Sequence, residues 1–164
     1  MNNFAQMLQA WQSFYTTVAS ASATLAGLLF VSLSVNRDRL DDNAIRTARR
    51  TFGNLINVLM LALIFLIPQD MPLGLSIALF VFGLAQTIAH LRDAIGLWRG
   101  NIQRANIQSV LREIGLPLLS AVGTVAVAIA IYTGITSAMF WPVGVIVMLL
   151  ITASWNAWLL LLKP

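Results

Sequence analysis

The segment TFGNLINVLMLALIFLIPQDMPLGLSIALFVFGLAQTIAH, residues 51–90, decides the fold, because two apolar runs meet within it at PQDMP. An uninterrupted helix over these residues would be about 60 Å long, roughly twice the thickness of the hydrocarbon core of a bilayer. Pro68 cannot continue the first run, whereas Pro72 is a favourable first residue for a second helix. The segment therefore predicts a hairpin of two membrane-spanning helices, residues 51–67 and 72–90.

The composition of the whole chain is typical of a membrane protein. Of its 164 residues, 59% are hydrophobic and only 10% are charged. A soluble domain carries about 25% charged residues, with which it covers a surface in water. The composition therefore excludes an ordinary soluble enzyme, a disordered chain and a nucleic-acid-binding domain, although the net charge is +4.

Three further apolar runs approach the roughly 20 residues that a helix needs to cross a bilayer. We therefore expect an all-α, single-domain bundle of five transmembrane helices that occupies residues 1–164. The predicted spans are residues 14–35, 51–67, 72–90, 114–136 and 141–162.

The basic residues predict the orientation of this bundle. With five spans, all 10 of them fall on one side of the membrane, in the segments 36–50 and 92–113 and at Lys163. Loops that face the cytoplasm carry the excess of Lys and Arg. The N-terminus is therefore predicted to lie outside and the C-terminus inside. With four or six spans, the basic residues would not all fall on one side.

Aromatic side chains are expected to mark the two interfaces of the bilayer, where their amphipathic rings collect. Those near the predicted outer interface are Trp11, Tyr15, Tyr132, Phe140 and Trp141. Those near or towards the inner one are Trp98, Trp155 and Trp158.

Both basic segments are predicted to contain helix. One of Asp41, Asp42 and Asn43 is expected to cap a helix that runs directly into the second span. The segment 92–113 alternates apolar and polar residues at helical spacing, which favours a helix in the inner interface or a docking surface for a cytoplasmic partner. The arginines expected to contact anionic lipid headgroups, or that partner, are Arg46, Arg49, Arg50, Arg99 and Arg104.

One face of the first span carries only small or hydroxyl-bearing residues, at spacings of three and four. They are Thr16, Ala19, Ser20, Ala23, Thr24 and Gly27. Such a face either allows another helix to pack closely or lines a water path with hydroxyls. The fourth span has a similar face, which consists of Ser120, Gly123, Val127, Ala130, Thr133 and Gly134. Two such faces in one small protein favour a subunit interface.

Polar side chains also lie within the inner halves of other spans. The principal ones are Asn54, Asn57, Gln86, His90, Thr152 and Asn156. An unpaired amide in hydrocarbon is costly, so these groups should face protein or water. They predict either hydrogen bonds between helices or a polar vestibule that opens towards the cytoplasm. His90 is the only histidine and the chain has no cysteine, so no metal site or cofactor is expected.

Signs of catalysis and of driven transport are missing from the sequence. It contains no H-E-x-x-H, no G-x-S-x-G and no P-loop motif, and we do not expect an enzyme. No ionisable residue lies well inside a predicted span, which argues against a proton-driven pump or a voltage sensor. A passive pore lined by hydroxyls, amides and apolar rings remains compatible with the sequence.

The segment Trp11–Val35, WQSFYTTVASASATLAGLLFVSLSV, resembles the start of a loose group of small, largely uncharacterised bacterial multi-pass membrane proteins. In that group a tryptophan and an aromatic residue precede small residues and a G-L-x-F-V-x-x-S stretch. The matching residues here are Trp11, Phe14, Ala21, Ala23, Leu25, Gly27, Leu28, Phe30, Val31 and Ser34. The resemblance implies the bacterial cytoplasmic membrane as the location and transfers no activity or site.

Taken together, these features predict a homo-oligomeric membrane protein that forms a pore or passive conduit. A single chain of this size has little interior for a private cavity, and pores in small proteins are commonly built by symmetric oligomers. The alternative is an accessory or regulatory subunit of a larger membrane complex, with its small-residue faces against the helices of a partner protein.

Overall fold

A computed structural model describes residues 3–35, 42–68, 71–99, 115–135 and 140–162 of the chain. In these ranges the regular structure is helical throughout, as the sequence predicts. The helices are α1 (Asn3–Val35), α2 (Asp42–Leu66), α3 (Pro72–Arg99), α4 (Leu116–Tyr132) and α5 (Trp141–Leu162).

The predicted break within residues 51–90 is confirmed. Helix α2 ends at Leu66, just before Pro68, and α3 begins at Pro72. Proline has no amide hydrogen and fixes its own φ, so it ends one helix and is accepted as the first residue of the next. Two prolines within five positions thus divide an apolar stretch that is too long for one span.

Helices α2 and α3 are both longer than their predicted spans at the ends that carry arginine. Helix α2 begins at Asp42, which confirms a continuous helix through the basic segment into the second span. The side chains of the three candidate capping residues lie outside the described part of the chain. Helix α3 continues beyond His90 to Arg99, so the start of the predicted loop 92–113 is helical. The edge of a bilayer changes which side chains are favoured, but it does not by itself end a helix.

Three helical segments are long and apolar enough to cross a membrane: Gln6–Val35, Ala44–Leu66 and Pro72–Arg92. Two shorter apolar segments, Pro117–Tyr132 and Trp141–Ser154, lie in α4 and α5. A protein with such helices is embedded in a membrane.

Helix α4 is shorter than the predicted span 114–136 because a glycine closes its C-terminal end. The amide of Ile135 donates to the carbonyl oxygen of Ala130 at 3.0 Å, and that of Gly134 donates to Ile131 at 3.1 Å. This pair of bonds is the Schellman motif, which places its penultimate residue in the left-handed region. Gly134 has a φ of 83°, which only glycine adopts at little cost.

The chain forms two compact units. The first contains residues 1–70 and 146–164, hence α1, α2 and most of α5, and the second contains residues 71–145, hence α3 and α4. In the first unit, Ala26, Leu55 and Ala153 bring α1, α2 and α5 together in one apolar cluster. The single domain expected from the sequence stays a prediction.

Candidate functional site

One face of α1 is packed within the first unit. Tyr15, the adjacent Val18 and Ala19, Ser22 and Ala26 are related by steps of three and four from one turn to the next, and all five are buried. This spacing keeps side chains on one side of a helix. The face packs against α2, and it sets the rotation of α1 about its own axis.

An aromatic stack holds the N-terminal half of this packed face. The rings of Tyr15 and Phe65 are parallel, with an interplanar angle of 2° and centroids 4.4 Å apart. Trp11 and Phe14 surround this pair from α1, with the ring of Phe14 5.3 Å from that of Tyr15. The ring of Tyr15 lies in the helix contact, where only 1% of the residue is exposed, and its predicted position at the level of the outer interface stays a prediction.

Two hydroxyls on the packed face have no hydrogen-bond partner, namely Tyr15 Oη and Ser22 Oγ. Other hydroxyls in the helices bond to their own backbone: Thr51 donates to the carbonyl oxygen of Thr47 at 2.9 Å, and Thr124 to that of Ser120 at 2.9 Å. Buried polar groups are usually paired, so Ser22 and Tyr15 are exceptions at the contact of α1 with α2.

The predicted small-residue face of α1 lies beside the packed face and is largely uncovered. Only Ala19 belongs to both faces and is buried. The exposed members are Thr16, Ser20, Ala23, Thr24 and Gly27. A Cβ atom added at Gly27 would meet nothing within 4 Å. Within the described residues of the first unit, this surface, hereafter the small-residue face, is therefore not used for packing.

The threonine hydroxyls of the small-residue face are bonded inwards. Thr16 donates to the carbonyl oxygen of Gln12 at 2.8 Å, and Thr24 donates to that of Ser20 at 2.8 Å. Because each hydrogen is committed to its own helix, these hydroxyls offer only oxygen lone pairs and a methyl group outwards. The surface is smooth and weakly polar, and a second helix backbone can approach it closely.

The residues of the predicted vestibule are divided between the two units. Asn54, Asn57 and Thr152 are half-buried in the first unit, and Gln86 and His90 are half-buried in the second. Thr152 donates to the carbonyl oxygen of Met148 at 2.8 Å. The side chain of Asn156 lies outside the described residues.

None of Asn57, Gln86 and His90 is without an interaction partner. The hydrogen bonds between helices that the sequence predicts for these groups stay a prediction. The vestibule itself stays a prediction.

Three of the predicted contact arginines are exposed at the N-terminal end of α2. Arg46, Arg49 and Arg50 lie within little more than one turn there. The side chain of Arg99 and the whole of Arg104 lie outside the described residues.

Helices α3 and α4 approach each other closely at a glycine for which the sequence predicted no contact. A Cβ atom added at Gly83 on α3 would lie 2.8 Å from Val125 Cγ2, 3.1 Å from the Val125 amide nitrogen and 3.3 Å from the Ala121 carbonyl oxygen. The backbones of α3 and α4 therefore pass close to each other at this point. A lone glycine in a run of large apolar residues is the signal that could have indicated this contact.

The small face predicted for the fourth span is mostly not the face through which α4 packs. Of its members only Val127 is buried, and the exposed ones include Thr133 and Gly134. The buried residues of α4 are Ala121, Thr124, Val127, Ala128 and Ile131. The packed face is displaced by about one residue, because Gly83 lets Ala121 and Val125 approach α3.

Across the ranges that the structure describes, no three His, Asp or Glu side chains come together in a group that could hold a metal ion. Comparison of the chain with protein-family models, curated proteins and solved structures finds no match. The argument for function therefore depends on the surfaces described above.

Proposed function

We propose that the chain crosses the cytoplasmic membrane of a bacterium five times, with its N-terminus outside and its C-terminus inside. Three helices have the length and apolarity that a span requires. Helix α4 has 17 residues and α5 has 22, which correspond to about 25 Å and 33 Å at 1.5 Å per residue. Both values are within the range observed for spanning helices. The five-span arrangement also collects all 10 basic residues on one side.

Reporter fusions at the two termini test this topology. A fusion partner that is active only outside the membrane should work at the N-terminus and fail at Pro164, and a cytoplasmic reporter should give the reverse result. Activity of the cytoplasmic reporter at both ends would show an even number of spans and would remove the proposal.

We further propose that several copies of the chain assemble through the small-residue face of α1 and form a pore or passive conduit. The observation that carries this proposal is the exposure of Thr16, Ser20 and Gly27, which form a face of small and hydroxyl-bearing residues beside the packed face of the same helix. Lipid tails gain nothing from a hydroxyl-rich surface, whereas a second helix gains close van der Waals contact there. No catalytic step and no cofactor are assigned to the chain.

The part of the small-residue face that borders the central path of such an assembly, and not a neighbouring helix, would define what the conduit offers to a permeant species. The threonine hydroxyls present oxygen lone pairs, and the face carries no charged side chain. A path lined in this way conducts passively and gives no proton relay. Reconstituted protein should therefore permit flux down a gradient, without coupling to the proton gradient.

Cysteine cross-linking tests the proposed contact directly, because the chain has no cysteine of its own. Ala23 is on the small-residue face, and Ala21 is exposed about 160° away on the same helix. Oxidation of membranes should give a disulfide-linked dimer with Ala23→Cys and monomer with the matched control Ala21→Cys. Equal cross-linking of the two variants would contradict a specific contact.

Native mass spectrometry separates this function from the alternative of an accessory subunit. A measured mass at an integer multiple of the chain's mass supports the homo-oligomer. This mass should be lost in Gly27→Leu and kept when the exposed Leu28 is substituted instead. A stoichiometric second polypeptide would instead place the small-residue face against a partner protein. The homo-oligomeric conduit would then be rejected.

A further inference from the structure

The exposed side of α2 combines a basic end with an apolar continuation. Arg46 and Arg49 are exposed near the start of the helix. Further along the same side, Met60 and Leu63 are 43% and 42% exposed. No acidic residue occurs between Ala44 and Leu66. The surface therefore changes from cationic to apolar along a single helix, as the surface of a lipid-facing helix does at the headgroup level.

The arginines of this surface lie at a similar level along the axis of α2 and on the same side of the helix. Arg46, Arg49 and Arg50 span about 6 Å along the helix axis and an arc of roughly 100° around it. Ala44, which is buried, and the buried Thr51 lie on the opposite side, so packing sets the direction in which the arginines point. The guanidinium groups of Arg46 and Arg49 can thus reach the same region outside the helix, beside Arg50, which also has an interaction within the protein.

The choice of arginine points to phosphate. Lys163 is the only lysine among the 10 basic residues of the chain. An excess of positive charge at the cytoplasmic side would be satisfied equally by lysine. A guanidinium group differs in that its planar donors bind two oxygens of one phosphate, whereas an ammonium group acts as a point charge.

We propose that Arg46, Arg49 and Arg50 form a binding site for the phosphate of an anionic phospholipid, whose acyl chains lie along the exposed apolar side of α2. The apolar residues beyond the arginines distinguish such a ligand from a free anion, because they contact the hydrocarbon part of the same molecule. The site rests on the proposed topology in one respect, that α2 spans the bilayer. It does not depend on oligomer formation or on a pore.

The test uses the full chain, purified with bound lipid and titrated with phosphatidylglycerol or phosphatidylcholine in native mass spectrometry. Wild type should retain phosphatidylglycerol in preference to phosphatidylcholine. The triple variant R46Q/R49Q/R50Q should bind phosphatidylglycerol roughly 10- to 100-fold more weakly, since each basic residue near an anionic surface adds about fivefold. The triple lysine variant should lose part of this affinity, because it keeps the charge but not the bidentate geometry.

Arg92, exposed on α3, supplies the matched control. The variant Arg92→Gln removes one cation from a helix outside the site and should change the affinity less than Arg49→Gln does. An equal effect of the two, or equal binding of the two lipids by wild type, would overturn the site. Displacement of phosphatidylglycerol by millimolar inorganic phosphate would show a free-anion site instead.

The same samples separate this proposal from the proposed function. The triple glutamine variant should keep the wild-type reporter topology and the cross-link at Ala23→Cys. Loss of lipid preference with both of these intact is the result expected for a headgroup site. A wild-type reporter pattern other than N-terminus outside and C-terminus inside would contradict the proposed topology. Absence of the Ala23→Cys cross-link would contradict only the proposed oligomer.

Discussion

The two units of the protein hold their helices together in different ways. In the first unit, α1 meets α2 through side chains, with Tyr15 stacked on Phe65. In the second unit, α3 meets α4 through backbone proximity, because Gly83 leaves no room for a Cβ atom. The glycines of the first unit that the structure describes, Gly27 and Gly53, both face open space.

This difference separates two sources of stability that are available to helices in a bilayer. Lipid tails are as apolar as leucine, so burial of apolar surface contributes less than it does in water, and close packing contributes more. At the Tyr15–Phe65 contact the first unit obtains that packing from two large side chains, whereas at Gly83 the second unit obtains it from a missing one. The stability of the first unit should therefore be sensitive to the loss of atoms at its helix contact, and that of the second unit to the addition of atoms.

The largest expected effect is the loss of the aromatic stack in the first unit. The variant Phe65→Ala removes a ring of which only 2% is exposed and leaves a cavity beside Tyr15. We expect a fall of about 3 kcal/mol in the free energy of unfolding, measured by denaturant titration in micelles. Phe30→Ala, at a phenylalanine that is 63% exposed, is the control and should cost far less. Equal losses would show that the stack does not hold the unit.

Addition of a single carbon to the second unit should have the next largest effect. In Gly83→Ala the new Cβ would meet Val125 Cγ2 at 2.8 Å and the Val125 amide nitrogen at 3.1 Å. Overpacking of this kind costs about 1–3 kcal/mol, and we expect a loss near 2 kcal/mol by the same titration.

Two further variants sharpen this prediction. Gly53→Ala in the first unit should be neutral or stabilise by up to about 1 kcal/mol, since alanine favours a helix and nothing lies nearby. Adding Val125→Ala to Gly83→Ala should recover only part of the loss, because the backbone nitrogen remains in the way. Full recovery would mean that side chains, and not backbones, set the distance between α3 and α4.

A smaller effect is expected at the end of α4. The variant Gly134→Ala places a Cβ atom on a residue with a φ of 83° and should cost about 1 kcal/mol. Gly134→Asn should cost less, because asparagine tolerates this conformation. Thermal unfolding followed by circular dichroism gives both values. A neutral Gly134→Ala would indicate that the Schellman motif is not maintained in the membrane.

The smallest expected effect is a gain in stability, whereas the main variant of each preceding prediction loses stability. Ser22 Oγ is buried without a hydrogen-bond partner, so Ser22→Ala should leave stability unchanged or raise it by at most about 1 kcal/mol. The comparison variant is Thr124→Ala, which removes a hydroxyl bonded to Ser120 and should destabilise the protein. A clear loss in Ser22→Ala would show that this hydroxyl acquires a partner in the assembled protein.

Whether a feature could be predicted from the sequence depends on how far apart in the chain the residues that determine it are. The break at PQDMP and the helical start at Asp42 were predictable, because they depend on proline chemistry and on neighbours within one or two turns. The small-residue face of α1 was identifiable for the same reason. Its exposure was not, since residues other than those of α1 decide which side of that helix is covered.

The inward turn of Tyr15 shows the limit of sequence patterns most clearly. Near the end of a span, the amphipathic ring of a tyrosine suits the membrane interface, but nothing local in the sequence shows whether the ring faces lipid or another helix. Phe65 is fifty positions away, and only the pairing of α1 with α2 brings the two rings to 4.4 Å.

By itself, the sequence determined that this chain is helical, that it belongs in a membrane and where the apolar stretch 51–90 is divided into two helices. These properties follow from local composition and from the two prolines, so no other part of the chain is needed to specify them. Only the tertiary structure decided that Tyr15 packs against Phe65, that Gly83 marks a close approach of α3 and α4, and that the small-residue face is exposed. Each of these depends on how one helix is rotated against another, and that rotation results from contacts between residues far apart in the chain.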